Sequence, residues 1–574
     1  MARQMDHLAS TTCASWRDKA GFDFPLTKRE AVASSGMAVT NHPLASTAAV
    51  EILAQGGNAI DAAIGALFTL TVVEPQMVGI LGGGTALIRR DDGQEEIIDG
   101  LSCAPAAASP DCYKPLSEEW PNYMEVEGRE NAVGARAMAV PGNLSAWCET
   151  HSWHGSLPLE VILRPAIRHA RYGFRISHYM SACISDVKDD LRHDPALARM
   201  LLPGGAPLKH GDLLVQADYA RTLERIARSG ITELTEGELG ERLDNWLREN
   251  KSMLSMDDVR AYRPLMRDVV RGEYRGFEIV APPPPVSGGV HIAQMLNILA
   301  HYDMADLGFG TPDSMHLMLE VMKIAAADRA QYMGDPAFVD VPIAHLMSKA
   351  YAAERQREID PLHAKQFSHA QLNAESANTT HVTVADAEGN IVASTQTINS
   401  LFGARRSIPG TGVLANNYMY VFDPHPGRAM SIAPGKRLTS AQAPLIALKN
   451  GKPRFAVGMP GGTRIYPSVM QALVNLIDHG MSLQEAVEAP RIWTQGQEVE
   501  IEDEVPAAVV NDLASRGHRI VRSPHIGGGM CAVQFHPDNS MTGAACWRAD
   551  GAPVGISGGH AQEGISFWPE YRAR

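Results

Sequence analysis

The residues whose chemistry stands out are a pair, Asn378-Thr379, where a polar, loop-like stretch gives way to an alternating β segment. A threonine hydroxyl is a weak nucleophile unless a base lies within hydrogen-bond reach. Cutting the chain before the threonine supplies that base, because the freed α-amine of the same residue takes the proton. The device needs a threonine at the start of a strand and a cuttable loop in front of it. Ala353 to Asn378, followed by TTHVTVADAEGNIVASTQTI, has that form. The pair is also ordinary turn composition, so its surroundings decide. Alternation puts Thr395, Thr397 and Asn399 on one face of the return strand, from which cross-strand neighbours approach the nucleophile. A plain solvated strand is the bland alternative for that polar row. Met459-Pro460-Gly461-Gly462-Thr463-Arg464 lies between a strand and a helix, where paired glycines let two backbone N–H groups face an oxyanion. An ordinary strand-to-helix turn looks the same.

The elements that must hold these residues can be read in outline. The first residues, 1–36, read as a loosely structured lead-in. Ser46 and Thr47 offer N-caps for an Ala-rich helix ending at Gly56-Gly57, and Asn58 or Asp61 starts a second helix through AAIGALFTLTVV. Gly82-Gly83-Gly84 leads into two strands, TALIRR and EEIID, and a mostly helical middle runs from Pro141 to Pro264. Phe277 to Val280 is a strand stopped by four prolines, and Thr311-Pro312-Asp313 opens a helix reaching Met333. Strands at 381–386 and 391–398 form a hairpin around Ala387-Glu388-Gly389-Asn390. Strands at 445–448 and 455–457 precede helices at 466–480 and 483–489. Helices gathered before and after a hairpin-rich sheet predict a layered α+β fold, two sheets between helix layers.

Composition excludes several function classes. A chain of 574 residues with 45% hydrophobic and 20% charged residues is globular. A net charge of −14 argues against nucleic acid or an anionic membrane as a standing partner. Seven scattered cysteines (13, 103, 112, 148, 183, 531 and 546) without a CxxC fit reduced thiols rather than a disulfide framework or zinc ribbon. Residues 1–36 carry charges throughout and no apolar signal core, and the apolar run Ala62 to Val73 is too short to span a bilayer, so a cytoplasmic protein is expected. No metal or organic cofactor is expected. His151 and His154 lack a matching acid or cysteine cluster, and no nucleotide-binding glycine motif follows a strand. Pro285-Val286-Ser287-Gly288-Gly289 is not a serine-hydrolase elbow.

Eight motifs in order resemble the gamma-glutamyltransferase family of N-terminal nucleophile hydrolases. They are GGNAIDAA (56–63), GILGGG (79–84), PPPPVSGG (282–289), ADRAQYMGDPAF (327–338), TTHVTVAD (379–386), GTGVLANN (410–417), APGKR (433–437) and PGGTRI (460–465). The resemblance implies a four-layer αββα sandwich and self-cleavage between Asn378 and Thr379. It implies a large fragment 37–378 and a small fragment 379–574, intertwined as a heterodimer that is a candidate to pair again. Thr379 is then the nucleophile, Thr397 the threonine that positions it, Gly461 and Gly462 the oxyanion-hole pair. Asn399 matches an acyl contact and Ser440 a substrate-binding serine.

The departures from the family pattern are as informative. Leu101 stands where the family places an arginine for the substrate α-carboxylate, and Val421 where it places an aspartate for the α-amine. Tyr418 replaces a glutamine and Ala441 one serine of a pair. Leucine and valine leave a charged amino-acid head without partners. The segment from Phe422 to Lys436 is short for a lid. With NNYMYVFDPHPGRA and MSLQEAVEAPR these features resemble the cephalosporin-acylase branch, whose substrates include glutaryl-type amides, and Arg405 and Arg406 are candidates to replace the missing arginine. The expected function is therefore acyl transfer from a small amide, gamma-glutamyl or glutaryl-like, through Thr379 to water or an amine. A hydrolase of another small amide such as oxamate, or a silent binding homologue, are the alternatives.

Overall fold

The computed structural model describes residues 15–119, 121–365 and 378–559. Two seven-stranded sheets form its centre, and each draws strands from both sides of the Asn378-Thr379 junction. The first runs, in spatial order, Ala552–Gly555, Gly36–Thr40, Thr380–Asp386, Ile391–Thr397, Gly83–Arg89, Glu95–Gly100 and Leu265–Arg267. The second runs Ala31–Ala33, Met541–Ala545, Cys531–Phe535, Lys452–Gly458, Leu445–Lys449, Phe277–Ala281 and Val270–Tyr274. Both are antiparallel throughout.

Strand alternation sorts the side chains into three packing layers. Val382, Val384 and Val392 join the core under the helices Pro43–Ala54 and Ala59–Val73. Leu87, Ile97, Ala385 and Ile391 of the first sheet meet Val280, Ile446, Ala456 and Val533 of the second. Leu445, Ala447 and Val457 face away, toward the helices Gly288–Leu299, Pro312–Tyr332 and Ile465–Ile477. The order is helix, sheet, sheet, helix: the expected four-layer α+β sandwich. With both sheet faces covered, every residue of the two hairpin strands is buried. The polar row Thr395-Thr397 is therefore not a solvated face.

Local chemistry sets the element boundaries. Asn58 and Asp61 form a reciprocal capping box that starts a helix buried along its whole length. Thr311 caps the long helix, its hydroxyl accepting from the Ser314 N–H at 3.2 Å. The preceding Ala-rich helix begins earlier than the Ser46-Thr47 caps predict. His42 Nδ1 accepts from the Leu44 N–H at 3.2 Å, with Pro43 at the first turn, while the Ser46 hydroxyl donates to the Ala552 carbonyl. The described part of the lead-in is not loose. Trp16 and Phe24 are buried against Phe309, and Ala31–Ala33 is an edge strand. Lys349–Gln356 carries a helix into the expected linker, whose residues 366–377 lie outside the described ones. Among the described residues no helix is long and apolar enough to cross a membrane.

Candidate active site

Strand register brings the two expected catalytic threonines together. Thr380 pairs with Gln396 and His381 with Thr395, so one step further out Thr379 stands opposite Thr397. The Thr397 hydroxyl donates to the carbonyl oxygen of Asn378 at 2.6 Å, and the Asn399 N–H donates to that hydroxyl at 2.8 Å. The carbonyl of the Asn378-Thr379 bond is thus held by a donor that is itself polarised. Thr379, Thr397, Asn399, Tyr418, Ser440, Gln442 and Gly462 line one small cavity of ≈ 20 Å3, with Val421, Leu438 and Ile465 completing it. That is room for about one water molecule. Gly462 faces the cavity, whereas Gly461 turns at φ 144° against Gly527, where a Cβ would lie 2.9 Å from the Gly527 Cα.

The quoted motifs form the scaffold of this site. Gly82 and Gly84 lie under the return strand so closely that a Cβ would sit 2.0 Å from the Thr397 carbonyl and 2.3 Å from the Thr395 carbonyl. Only glycine allows that approach. The Asn417 side chain accepts from the Asn399 amide at 3.1 Å and from the Ser400 N–H at 2.9 Å, fixing the turn after the strand. Ser440 rests on PPPPVSGG: its carbonyl accepts from the Ser287 N–H and hydroxyl, and the Ser287 hydroxyl accepts from Arg329 Nε at 2.9 Å. Arg437 of APGKR bonds Asp99 and the Leu101 carbonyl, tying the far end of the first sheet to the site.

The head-group departures share one place. Leu101, Tyr418, Val421 and Leu438 are buried in a single apolar cluster, three of them lining the small cavity with Thr379. The Tyr418 hydroxyl points back to the Gly83 carbonyl at 2.7 Å. Arg405 lies outside the inner cavity, in a neighbouring one, paired with Asp190. Arg406 spends its guanidinium on the carbonyls of Asp190 and Arg405, and lines neither cavity.

Among the described residues no imidazole lines the cavity with Thr379. His381 is sealed between the sheets, bonded to Thr395 and Thr383, and burial pushes its pKa down to about 3. Glu74, at the end of the buried helix, accepts from the Thr380 hydroxyl at 2.7 Å, and burial lifts its pKa to about 8. Neither residue was singled out from sequence. Their signal, a titratable residue within an apolar stretch, is visible there but common to satisfied core positions. His151 bonds the Leu157 carbonyl and His154 meets Glu96, so the two do not converge on a metal. His316, Glu320 and His518 do converge with ligand-like spacing, but the Lys323 ammonium already bonds two of them. It donates to Glu320 at 2.7 Å, the Lys365 carbonyl at 3.1 Å and His518 Nδ1 at 3.3 Å. That network already contains its cation.

Residues 45–556 match the model of the gamma-glutamyltranspeptidase family. The chain belongs to that family. It is 56% identical over 545 residues to the acylase ACY 1 proenzyme of Pseudomonas sp. (strain SE83), covering 95% of this chain and 98% of the relative. It is 35% identical over 553 residues to the glutathione hydrolase proenzyme of Bacillus subtilis (strain 168), covering 92% and 93%. The crystal structure of cephalosporin acylase from Bacillus halodurans superposes with a TM-score of 0.83 at 28% identity, over 94% of this chain and 99% of that one. This gamma-glutamyltranspeptidase-family chain is accordingly an enzyme, an acylase or amide hydrolase on an N-terminal-nucleophile fold.

Proposed function

We propose that the chain cuts itself between Asn378 and Thr379 and then hydrolyses small amides through an acyl-enzyme on Thr379. The observation that carries this is the 2.6 Å hydrogen bond from Thr397 to the Asn378 carbonyl, beside a threonine that lines a cavity with Gly462, Asn399 and Ser440. In the first step the Thr379 hydroxyl oxygen adds to the Asn378 carbonyl carbon while Thr397 stabilises the developing oxyanion. The C–N bond breaks, the amine takes a proton, and an ester remains; water then hydrolyses it, leaving the Asn378 carboxylate and a free Thr379 amine. That amine is the base for each later turnover, accepting the hydroxyl proton and passing it to the departing amine of the substrate. Fragments 1–378 and 379–574 stay together as a heterodimer because both sheets interleave strands of each.

The acyl half is directed toward the inner cavity, which must widen beyond its ≈ 20 Å3 to admit it and whose lining carries no charged side chain. The apolar group of Leu101, Val421 and Leu438 beside it disfavours an α-amino-acid head, since each unpaired buried charge costs several kcal/mol, roughly. Neutral or simple acyl groups are therefore preferred to gamma-glutamyl. Steady-state assays with gamma-glutamyl-, glutaryl-, butyryl-4-nitroanilide and oxamate test this. Gamma-glutamyl turnover more efficient than that of the other donors would contradict it.

A further inference from the structure

The wall of the inner cavity is carried by a loop whose far end is fastened by one histidine. The loop Phe422–Lys436 starts beside Val421 and ends just before Leu438, and both of these residues line the inner cavity. Val421, Phe422, Ile432 and Leu438 pack in one apolar cluster, so the two ends of the loop move as parts of one wall. Facing the loop is a second one, residues 115–126, closed on itself by the Leu116 N–H donating to the Glu125 carbonyl at 2.8 Å. Its Glu125 and Val126 line the neighbouring cavity, which adjoins the inner one along Asn378-Thr379.

His425, 5% exposed, stands between the two loops. Its ring stacks on Tyr123, with centroids 4.1 Å apart and planes inclined by 25°. Nδ1 lies 3.1 Å from Asp423 Oδ1, and Nε2 lies 3.1 Å from the Ser117 carbonyl oxygen. Neither partner supplies a proton. The Asp423 carboxylate already accepts from the His425 backbone N–H and from the Tyr123 hydroxyl, each at 2.9 Å, and a carbonyl oxygen can only accept. Both ring nitrogens therefore donate, and an imidazole that donates twice is an imidazolium. The other charges nearby leave this pairing in place. Lys436 spends its ammonium on the Ala429 and Ser431 carbonyls, at 2.6 and 3.0 Å. Glu118, 3.8 Å from Nε2, and Arg428 are exposed and screened by water.

At ≈ 20 Å3 the inner cavity admits an acyl chain only when its wall moves, and Val421 and Leu438 are wall residues at the two ends of the fastened loop. We infer that His425 is a positioning residue that sets the length of acyl group the enzyme accepts. While the imidazolium clasps Phe422–Lys436 to the 115–126 loop, the cavity stays narrow and favours short acyl groups. Loss of one ring proton frees the loop, and the wall widens to take longer chains. The assignment rests on the inner cavity being the acyl site of Thr379. A neutral ring donates from one nitrogen only, so it gives up either Ser117 or Asp423, and the surviving bond loses its charge assistance. Histidine is the side chain whose charge changes near neutral pH.

Acetyl- and butyryl-4-nitroanilide share a leaving group and differ only in acyl length. Both report through Thr379, so the titration of its amine cancels from the ratio of their kcat/KM values. In the self-cleaved wild type the butyryl-to-acetyl ratio is expected to rise about fivefold from pH 5 to 8, through KM for the butyryl donor, within what one or two methylenes are worth in a pocket. H425Q cannot carry the charge, so its ratio should stay at the wild type's pH 8 value throughout. Trypsin reads the loop without turnover, at the exposed Arg428 near its tip. At pH 6 H425Q should be cut there several-fold faster than wild type, and at pH 8 the two should be cut alike, with fragment masses identifying the site. D423N removes the carboxylate partner and should match H425Q in both readings, so it carries the test if H425Q does not fold. A wild-type ratio flat with pH, an H425Q ratio that follows the wild type, or equal cutting at pH 6 overturns the inference. Failure to turn over either anilide, with the trypsin contrast intact, would refute the acyl-site reading of Thr379 instead.

Discussion

Two buried polar clusters join the chain upstream of Asn378-Thr379 to the chain downstream, and they are built in opposite ways. The His316-Glu320-Lys323-His518 network is closed. All three ammonium protons of Lys323 are used, His518 meets His316 at 2.8 Å, and His316 ends on the Asp360 carbonyl at 2.7 Å. Burial pushes the His518 pKa down to about 3, so its ring is neutral and completes the chain without a second cation. The region around the Asn378-Thr379 junction is open. It has adjoining cavities and left-handed backbone around the Asn378-Thr379 bond. The clamp completes its hydrogen bonds within the fold, and the junction region keeps space beside its polar groups.

That contrast can be broken from the clamp side first. K323M strands the buried Glu320 carboxylate, and removing one partner of a buried pair costs about 3–5 kcal/mol. Denaturant unfolding should show a loss of that order, while kcat of the folded fraction is unchanged. A stable variant with altered kcat would erase the distinction between the clusters.

A smaller effect should come from Glu74, which accepts from the Thr380 hydroxyl next to Thr379. Its folded pKa, about 8, is above its ordinary value of 4.5. The folded chain therefore binds the proton more tightly, and this contribution to stability is complete below about pH 4.5 and lost as pH rises to about 8. The slope is at most ~1.4 kcal/mol per pH unit. E74Q keeps an acceptor for the Thr380 hydroxyl and cannot ionise, so thermal midpoints measured from pH 5 to 8 should fall less for E74Q than for the wild type. Parallel curves would remove the buried neutral acid from the account.

The smallest expected change sharpens the open side. T397V deletes the donor to the Asn378 carbonyl and should slow self-cleavage by roughly ten- to a hundredfold, the lower range for an oxyanion donor. Band densities on a denaturing gel over time give the rate. Cleavage as fast as wild type would make Thr397 a packing residue.

Much of this was legible in the amino-acid sequence where one residue type has one physical use. The helix start at Asn58, the Thr311-Pro312 helix start and the hairpin expected at 381–386 and 391–398 follow from local chemistry and appear within a residue of where expected. So does the layered order, since helices flank the hairpin. The strands Cys531–Phe535 and Met541–Ala545 were not legible, because strands covered on both faces lose the alternation that announces a strand. Gly36–Thr40, buried along its whole length, was hidden for the same reason. At the site, Thr379, Thr397, Asn399, Ser440 and Gly462 converge on one cavity, whereas Arg405 and Arg406 do not enter it. Their sequence position gave the neighbourhood; only the fold shows that Asp190 and Arg129 claim the same wall.

The most direct test is the mass and N-terminal sequence of the chain after purification. Self-cleavage at the assigned bond yields two fragments, the smaller beginning Thr-Thr-His-Val at Thr379, and T379A yields one uncut, inactive chain. An intact chain that hydrolyses amides, or a small fragment beginning at any other residue, would contradict Thr379 as the nucleophile.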